Sequence, residues 1–159
     1  MARLKHRLRP VGLDFLDTAP VRLVFSVAVS ADAGTVYRAL AEDTRGWSEW
    51  FAAVKHARPT EGGRHVVLSG GTRFEETVLV TEEPRRYVYR ADATNRPGVR
   101  AILEEWRVES LAGGSLVQWT IAVDAAPATA ALLRMATPAL QTSFRKAMQR
   151  LDLRSAPAA

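Results

Sequence analysis

The chain has 159 residues, an ordinary apolar share of 47% and a formal charge of +5. Such a length suits one domain, which buries roughly 68–70% of its extended surface, and the composition excludes wholesale disorder. There is no cysteine, which rules out disulfides and thiolate metal sites and fits a reducing cytoplasm, and no apolar run approaches the ~18 residues of a membrane span.

The opening MARLKHRLRP is basic but lacks the apolar centre of a secretory signal. Arg3, Lys5, His6, Arg7 and Arg9 form its basic cluster; elsewhere arginines alternate with acids, as in Glu82-Glu83-Pro84-Arg85-Arg86. Nucleic-acid binders collect cations and exposed aromatics on one element, so no specific nucleic-acid partner is expected. Asp14, Asp17 and Pro20 break up the apolar positions of residues 1–20. The segment reads as an N-terminal arm that Leu13, Phe15 and Leu16 would lay over a domain spanning 21–153, with 154–159 a frayed tail.

From Val21 to Val29 every second residue is apolar, and Arg22 and Ser26 fall between them, which predicts a half-buried strand. Ser30 or Asp32 can cap a following helix with the stripe Val36, Tyr37 and Leu40. A second short helix carries Trp47, Trp50 and Phe51, whose spacing of three and four residues places them on one face.

Gly62-Gly63, Gly70-Gly71, Glu83-Pro84, Asn95-Arg96-Pro97-Gly98 and Gly113-Gly114 then punctuate the chain as hairpin turns. Between them, alternation groups Phe74, Glu76, Val78 and Val80 on one face of a strand, and Tyr87, Tyr89, Ala91 and Ala93 on the next. Ile102, Glu104, Trp106 and Val108 follow, then Val117, Trp119, Ile121 and Val123. Successive strands with short turns predict an antiparallel meander. From about Thr129 to Leu153, Leu133, Leu140, Phe144, Met148 and Leu151 recur at helical spacing, and Pro138 is expected to kink that helix. The fold class is α+β, a curved sheet around a closing helix, which encloses space.

The opening strand VRLVFSVAVSADAGTVYRAL, then GWSEWF, GGTRFEETVLVTEEPRRYVYRA and EEWRVESLAGGSLVQWTIAV, with the last helix, resemble the polyketide cyclase and lipid-transport superfamily. These are the START or Bet v 1-like (SRPBCC) helix-grip proteins. The resemblance covers roughly residues 21–153. It implies a sheet of about seven antiparallel strands gripping a long C-terminal helix, two small helices closing one end, and a pocket for a lipid, polyketide or other apolar molecule. Some members cyclise or dehydrate their ligands, so the resemblance implies no single activity.

Alternation places Glu76 beside Phe74 and Val78, and Glu104 beside Ile102 and Trp106. A carboxylate on an apolar concave face has a raised pKa and can move a proton or hold a polar group. The alternative is an ion pair with Arg73, Arg90, Arg100 or Arg107. Glu76, Glu104 and Tyr89 are therefore the catalytic candidates. The ligand-binding candidates are Trp47, Trp50, Phe51, Phe74, Glu76 and Tyr87, with Tyr89, Trp106, Trp119, Met135, Leu140 and Phe144. Rings offer apolar area with few rotors, although core packing or cross-strand packing also uses them. On the last helix Met135, Leu140, Phe144 and Met148 are expected to face the sheet.

His6, His56 and His65 share no metal-ligand spacing, although the latter two can approach across the Gly62-Gly63 hairpin. No GxSxG elbow or phosphate loop occurs, and no metal or cofactor is expected. The leading expectation is a binder or carrier of a small hydrophobic molecule. A polyketide-type cyclase or dehydratase is the alternative, and a protein- or ribosome-docking module is a third. An acid and a hydroxyl within hydrogen-bond reach on the pocket wall would favour the enzyme, since a carrier can be almost wholly apolar. A monomer or a dimer fits the sequence.

Overall fold

The computed structural model describes residues 5–157. Arg3 of the basic cluster and the last two residues of the expected tail lie outside the described residues. A short strand, His6–Arg7 (β1), and one helical turn, Phe15–Thr18 (α1), precede the long strand Val21–Val29 (β2). Helices Ala33–Ala41 (α2) and Trp47–Trp50 (α3) follow. The meander is Val54–Thr60 (β3), Gly63–Leu68 (β4), Arg73–Glu82 (β5), Arg86–Thr94 (β6), Val99–Leu111 (β7) and Gly114–Ala125 (β8). Helices Pro127–Met135 (α4) and Thr137–Ser155 (α5) close the chain.

The strands form one sheet in the order β2-β8-β7-β6-β5-β4-β3, with β1 added beside β6. All pairings are antiparallel. α5 packs on β2 and against α2 and α3, which gives the α+β helix-grip arrangement expected. Of the two candidate caps, Asp32 is the one used: its carboxylate accepts from Thr35 N at 2.8 Å. At Gly113 φ is +82°, a turn conformation that side chains resist. Gly63 answers to a different demand, because a Cβ there would come within 1.8 Å of the Glu76 carbonyl oxygen.

Irregularities in the strand pairing curve the sheet, at Lys55 in β3, at Arg100 in β7 and at two places between β5 and β6. Asp92 is an extra residue in β6 and Leu79 an extra residue in β5; bulges bend a strand and increase its twist. The one at Leu79 corrects the sequence reading of β5. Val78 still faces the concave core, but beyond the bulge Leu79 and Val80 both pack on the opposite, convex side. A strict period of two cannot anticipate an inserted residue.

The closing helix is also divided. Pro138 has no N–H to give the preceding turn, and the chain breaks at Ala136 rather than bending there. Proline then sits in the first turn of α5, where its fixed φ is welcome. Met135 stands 77% exposed and does not face the sheet as expected; at 3.6 residues per turn it falls far around the helix from the stripe of Phe144 and Met148.

Residues 5–20 pack on the convex face. Val11, Phe15 and Leu16 join Val88, Leu103 and Ala122 in a second core, while Leu13 stays 40% exposed. The backbone enters the gap where β6 and β7 diverge: Leu8 N donates to Asp92 O at 2.8 Å, and Arg9 N to Arg100 O at 2.9 Å.

Candidate functional site

The concave side has a packed half and a hollow half. In the packed half Trp50, Trp106 and Phe144 are fully buried. Trp106 stacks on Trp119 at 5.1 Å and meets Trp47 edge-on at 5.6 Å, geometries that aromatic quadrupoles favour. The hollow half is a half-open cavity of about 820 Å³ between the sheet, α3, α4 and the start of α5. Ligand pockets occupy roughly 300–1,000 Å³. Its walls are largely aliphatic, with Val54 and Val66 on one side, Ile102, Ile121 and Val123 on the other, and Leu133 from α4.

A polar cluster stands where the halves meet, and strand register assembles it. Arg64 of β4 lies opposite Glu76 of β5, and Tyr89 of β6 lies opposite Glu104 of β7. Facing residues on adjacent strands are the ones whose side chains meet. Arg64 Nε donates to Glu76 Oε2, and its guanidinium lies over the rings of Trp47 and Tyr89 at 4.2 and 4.0 Å. Such a desolvated cation–π contact is worth about 2 kcal/mol. Tyr89 donates its hydroxyl to Glu104 Oε2 at 2.5 Å, Trp119 Nε1 donates to the same oxygen at 3.0 Å, and Trp106 Nε1 donates to the Tyr89 hydroxyl at 3.1 Å. The packed half thereby orients the acid of the hollow half.

Charge in this cluster is unbalanced, with one guanidinium facing two carboxyls. Burial raises the Glu76 carboxyl to about 7; Arg64 pulls it down and Glu104 pushes it up. Burial also raises Glu104 above the usual carboxylate range, against the hydrogen bonds from Tyr89 and Trp119. Tyr89 is held well above the ordinary phenol value by burial and by Glu104. The arrangement favours retaining one proton between the two acids. Arg64 is only 3% exposed, yet its Nη1 has no hydrogen-bond partner among the described residues. A buried N–H left without a partner costs about 1–3 kcal/mol, which a ligand oxygen reaching it would offset.

Of the candidates from sequence, Glu76, Glu104 and Tyr89 meet at this wall, and Trp47, Phe51, Phe74 and Trp119 line the cavity with Leu140. Trp50, Tyr87, Trp106 and Phe144 lie behind it in the packed core; Met135 points away. The partner of Glu76 is none of the arginines considered but Arg64. Parity contained the signal, because Arg64, Val66 and Leu68 share a face of β4. The rim residues Arg96 and Pro97, which the sequence marks only as a turn, border the mouth. His65 lies opposite Arg58 and His56 opposite Val67, so the two histidines do not face each other. Among the described residues no His, Asp and Glu group is arranged to hold a metal ion, and no helix is long and apolar enough to cross a membrane.

Residues 20–155 match the family model described as polyketide cyclase / dehydrase and lipid transport. An uncharacterized protein of Mycobacterium tuberculosis is 26% identical over 148 residues, 89% of this chain and 88% of its own. The solved di-domain ARO/CYC BexL from the BE-7585A biosynthetic pathway superposes with a TM-score of 0.73 at 19% identity, over 86% of this chain and 48% of that one. A START superfamily protein from Mycobacterium smegmatis gives 0.63 at 14% identity, over 82% and 98%. At such identities the structural likeness establishes the fold alone.

Proposed function

This chain belongs to the polyketide cyclase / dehydrase and lipid transport family, and from that premise we propose that it binds a small hydrophobic, oxygen-bearing molecule of polyketide or lipid type in the cavity and moves a proton on it. The observation that carries this reading is the Tyr89 hydroxyl 2.5 Å from the Glu104 carboxyl on the cavity wall. An acid and a hydroxyl held in contact, inside a chamber lined largely by apolar side chains, suit acid–base chemistry on an apolar substrate.

In this reading Glu104, held by Tyr89 and Trp119, takes a proton from a carbon next to a ligand carbonyl. The free Nη1 of Arg64 donates to that carbonyl oxygen as negative charge develops. The enolate carbon bonds to a second carbonyl carbon of the same chain, and the new alkoxide oxygen recovers the proton from Glu104. A chamber that folds the chain supplies much of the acceleration by proximity alone. BexL, as an ARO/CYC protein of a biosynthetic pathway, supports a polyketide-like ligand. The second reading is a carrier without turnover, favoured by the long apolar walls, with the polar cluster anchoring one oxygen of the cargo.

A panel of polyketide mimics and lipids, read by native mass spectrometry and thermal shift, tests the shared part. A ligand at a hundredfold excess over Kd adds roughly 2.7 kcal/mol, a visible shift. Glu104→Gln separates the two readings. The enzyme loses turnover by about 10²-fold or more with affinity retained, whereas a carrier shows no turnover in either form. A panel that shifts nothing defeats both.

A further inference from the structure

Between Asp124 and Asp152 the chain contains no acid, while Arg134, Arg145, Lys146 and Arg150 all fall there. This stretch is the layer of α4 and α5 that roofs the cavity. Its outer surface is unusual at the mouth. Leu132 is 62% and Met135 is 77% exposed, and Ala131, Pro138 and Ala139 around them are exposed too. Within 127–139 the only charge is Arg134, also exposed. Leu132 also lines the cavity, as do the exposed rim residues Arg96 and Pro97. Pro138 and Arg145 lie seven residues apart, as do Ala139 and Lys146, so the apolar start of α5 runs into a basic stripe on the same helical face.

Two large apolar side chains exposed at the mouth of a cavity mark an interaction surface, and the charge around them narrows the partner. A second copy of this chain is disfavoured, because a twofold contact through this face sets Arg134 and its neighbours against their own copies. An anionic lipid surface matches all the features together. Cations meet headgroups, a few apolar tips enter the acyl boundary, and an apolar cargo reaches the cavity without crossing water. We propose that α4 and the first turns of α5 dock on an anionic bilayer, with Leu132 and Met135 inserted and Arg134, Arg145 and Lys146 on the headgroups, so that the cavity opens towards the membrane. The proposal goes beyond the proton transfer above and holds with or without turnover.

Sedimentation of the full chain with vesicles of phosphatidylcholine alone, or mixed with phosphatidylglycerol, tests it. Association with the mixed vesicles only, weakening as salt rises, is expected. Met135→Glu and the pair R145E/K146E alter exposed residues outside the cavity wall. Each is expected to keep the melting temperature of the parent, and the charge-reversed pair to weaken vesicle association by about tenfold or more. No association with the anionic vesicles overturns the proposal. So does association that Met135→Glu leaves unchanged, since charge would then act through another face. Salt-sensitive binding to polyglutamate without vesicle binding assigns the face to an acidic protein and overturns it equally.

Discussion

The packed and hollow halves of the concave side are built from the same strands and the same helix, yet they differ in what they can tolerate. Along α5, Leu140 and Ser143 border the cavity, while Phe144, Ala147, Met148 and Leu151 one to three turns later are buried. Across β7, Ile102 and Glu104 border the cavity and Trp106 closes it off. Side-chain size changes at the boundary, and the polar cluster sits there because Trp106 and Trp119 donate hydrogen bonds into it. A hollow can persist only where neighbouring packing is strong enough to hold the walls apart. The aromatic half is therefore scaffold and the largely aliphatic half is container.

The largest effect should come from one chemical change made on both sides of that boundary. Leu151→Ala removes a side chain that is 1% exposed in the packed half and should cost about 3–5 kcal/mol in urea unfolding. Leu140→Ala borders space that is already empty and should cost about 1 kcal/mol, since little new cavity is made. Equal losses would erase the distinction between scaffold and container.

Next comes the cluster on the boundary itself. Glu76→Ala leaves Arg64 buried without its carboxylate and should destabilise by about 3 kcal/mol. Replacing the pair together, with Arg64→Met and Glu76→Leu, should recover most of that loss while abolishing whatever affinity depends on the Arg64 N–H. If the double variant binds ligand as the parent does, the cluster belongs to the scaffold and the container has no polar wall.

How much of this was legible in the sequence follows the same boundary. Period-two alternation placed Glu76, Tyr89 and Glu104 inward, because strands buried on one face repeat that pattern. It could not say which inward rings line space and which fill it: Trp106 and Trp119 share a pattern and stack together, yet only Trp119 reaches the cavity. Depth along a curved sheet is a property of curvature, and curvature here depends on bulges, those at Leu79 and Asp92 among them, that have no sequence signature. Arg64 carries no such mark, because an arginine beside His65 and a glycine turn is also what an exposed edge would show. Its burial depends on Trp47 and Tyr89, which are distant in sequence.

A smaller effect, in pH, isolates the unbalanced charge. The Glu76 carboxyl titrates near 7 in the fold against 4.5 as its ordinary value, so the folded state binds more protons between these limits. Stability should therefore be complete below about pH 4.5 and fall as pH rises towards 7, by at most about 1.4 kcal/mol per pH unit for one proton. His65, held below its usual value mainly by burial, acts in the opposite sense, since a rise in pH favours its neutral folded form. The Glu76→Gln difference removes that contribution. The variant should be less stable overall but flatter across this window, measured by urea unfolding at several pH values. A slope unchanged by the substitution would mean that Glu76 is ionised throughout and that Arg64 outweighs burial.

The smallest effect belongs to Met135, the exposed one of two methionines on either side of the break at Ala136. Met148 is fully buried in the packed half, while Met135 stands 77% exposed on α4 beside the container's mouth. Met148→Ala should cost about 2–5 kcal/mol through the cavity it leaves. Met135→Ala removes little buried area and improves local helix propensity, so its unfolding free energy should stay within about 0.5 kcal/mol of the parent. The contrast has a physical root in helical spacing: at 3.6 residues per turn Met135 falls far around the helix from the stripe of Phe144, Met148 and Leu151, so only Met148 is turned towards the sheet. A marked loss from Met135→Ala in isolated protein, away from any membrane, would therefore place that side chain against the fold and remove the exposed apolar tip from the mouth.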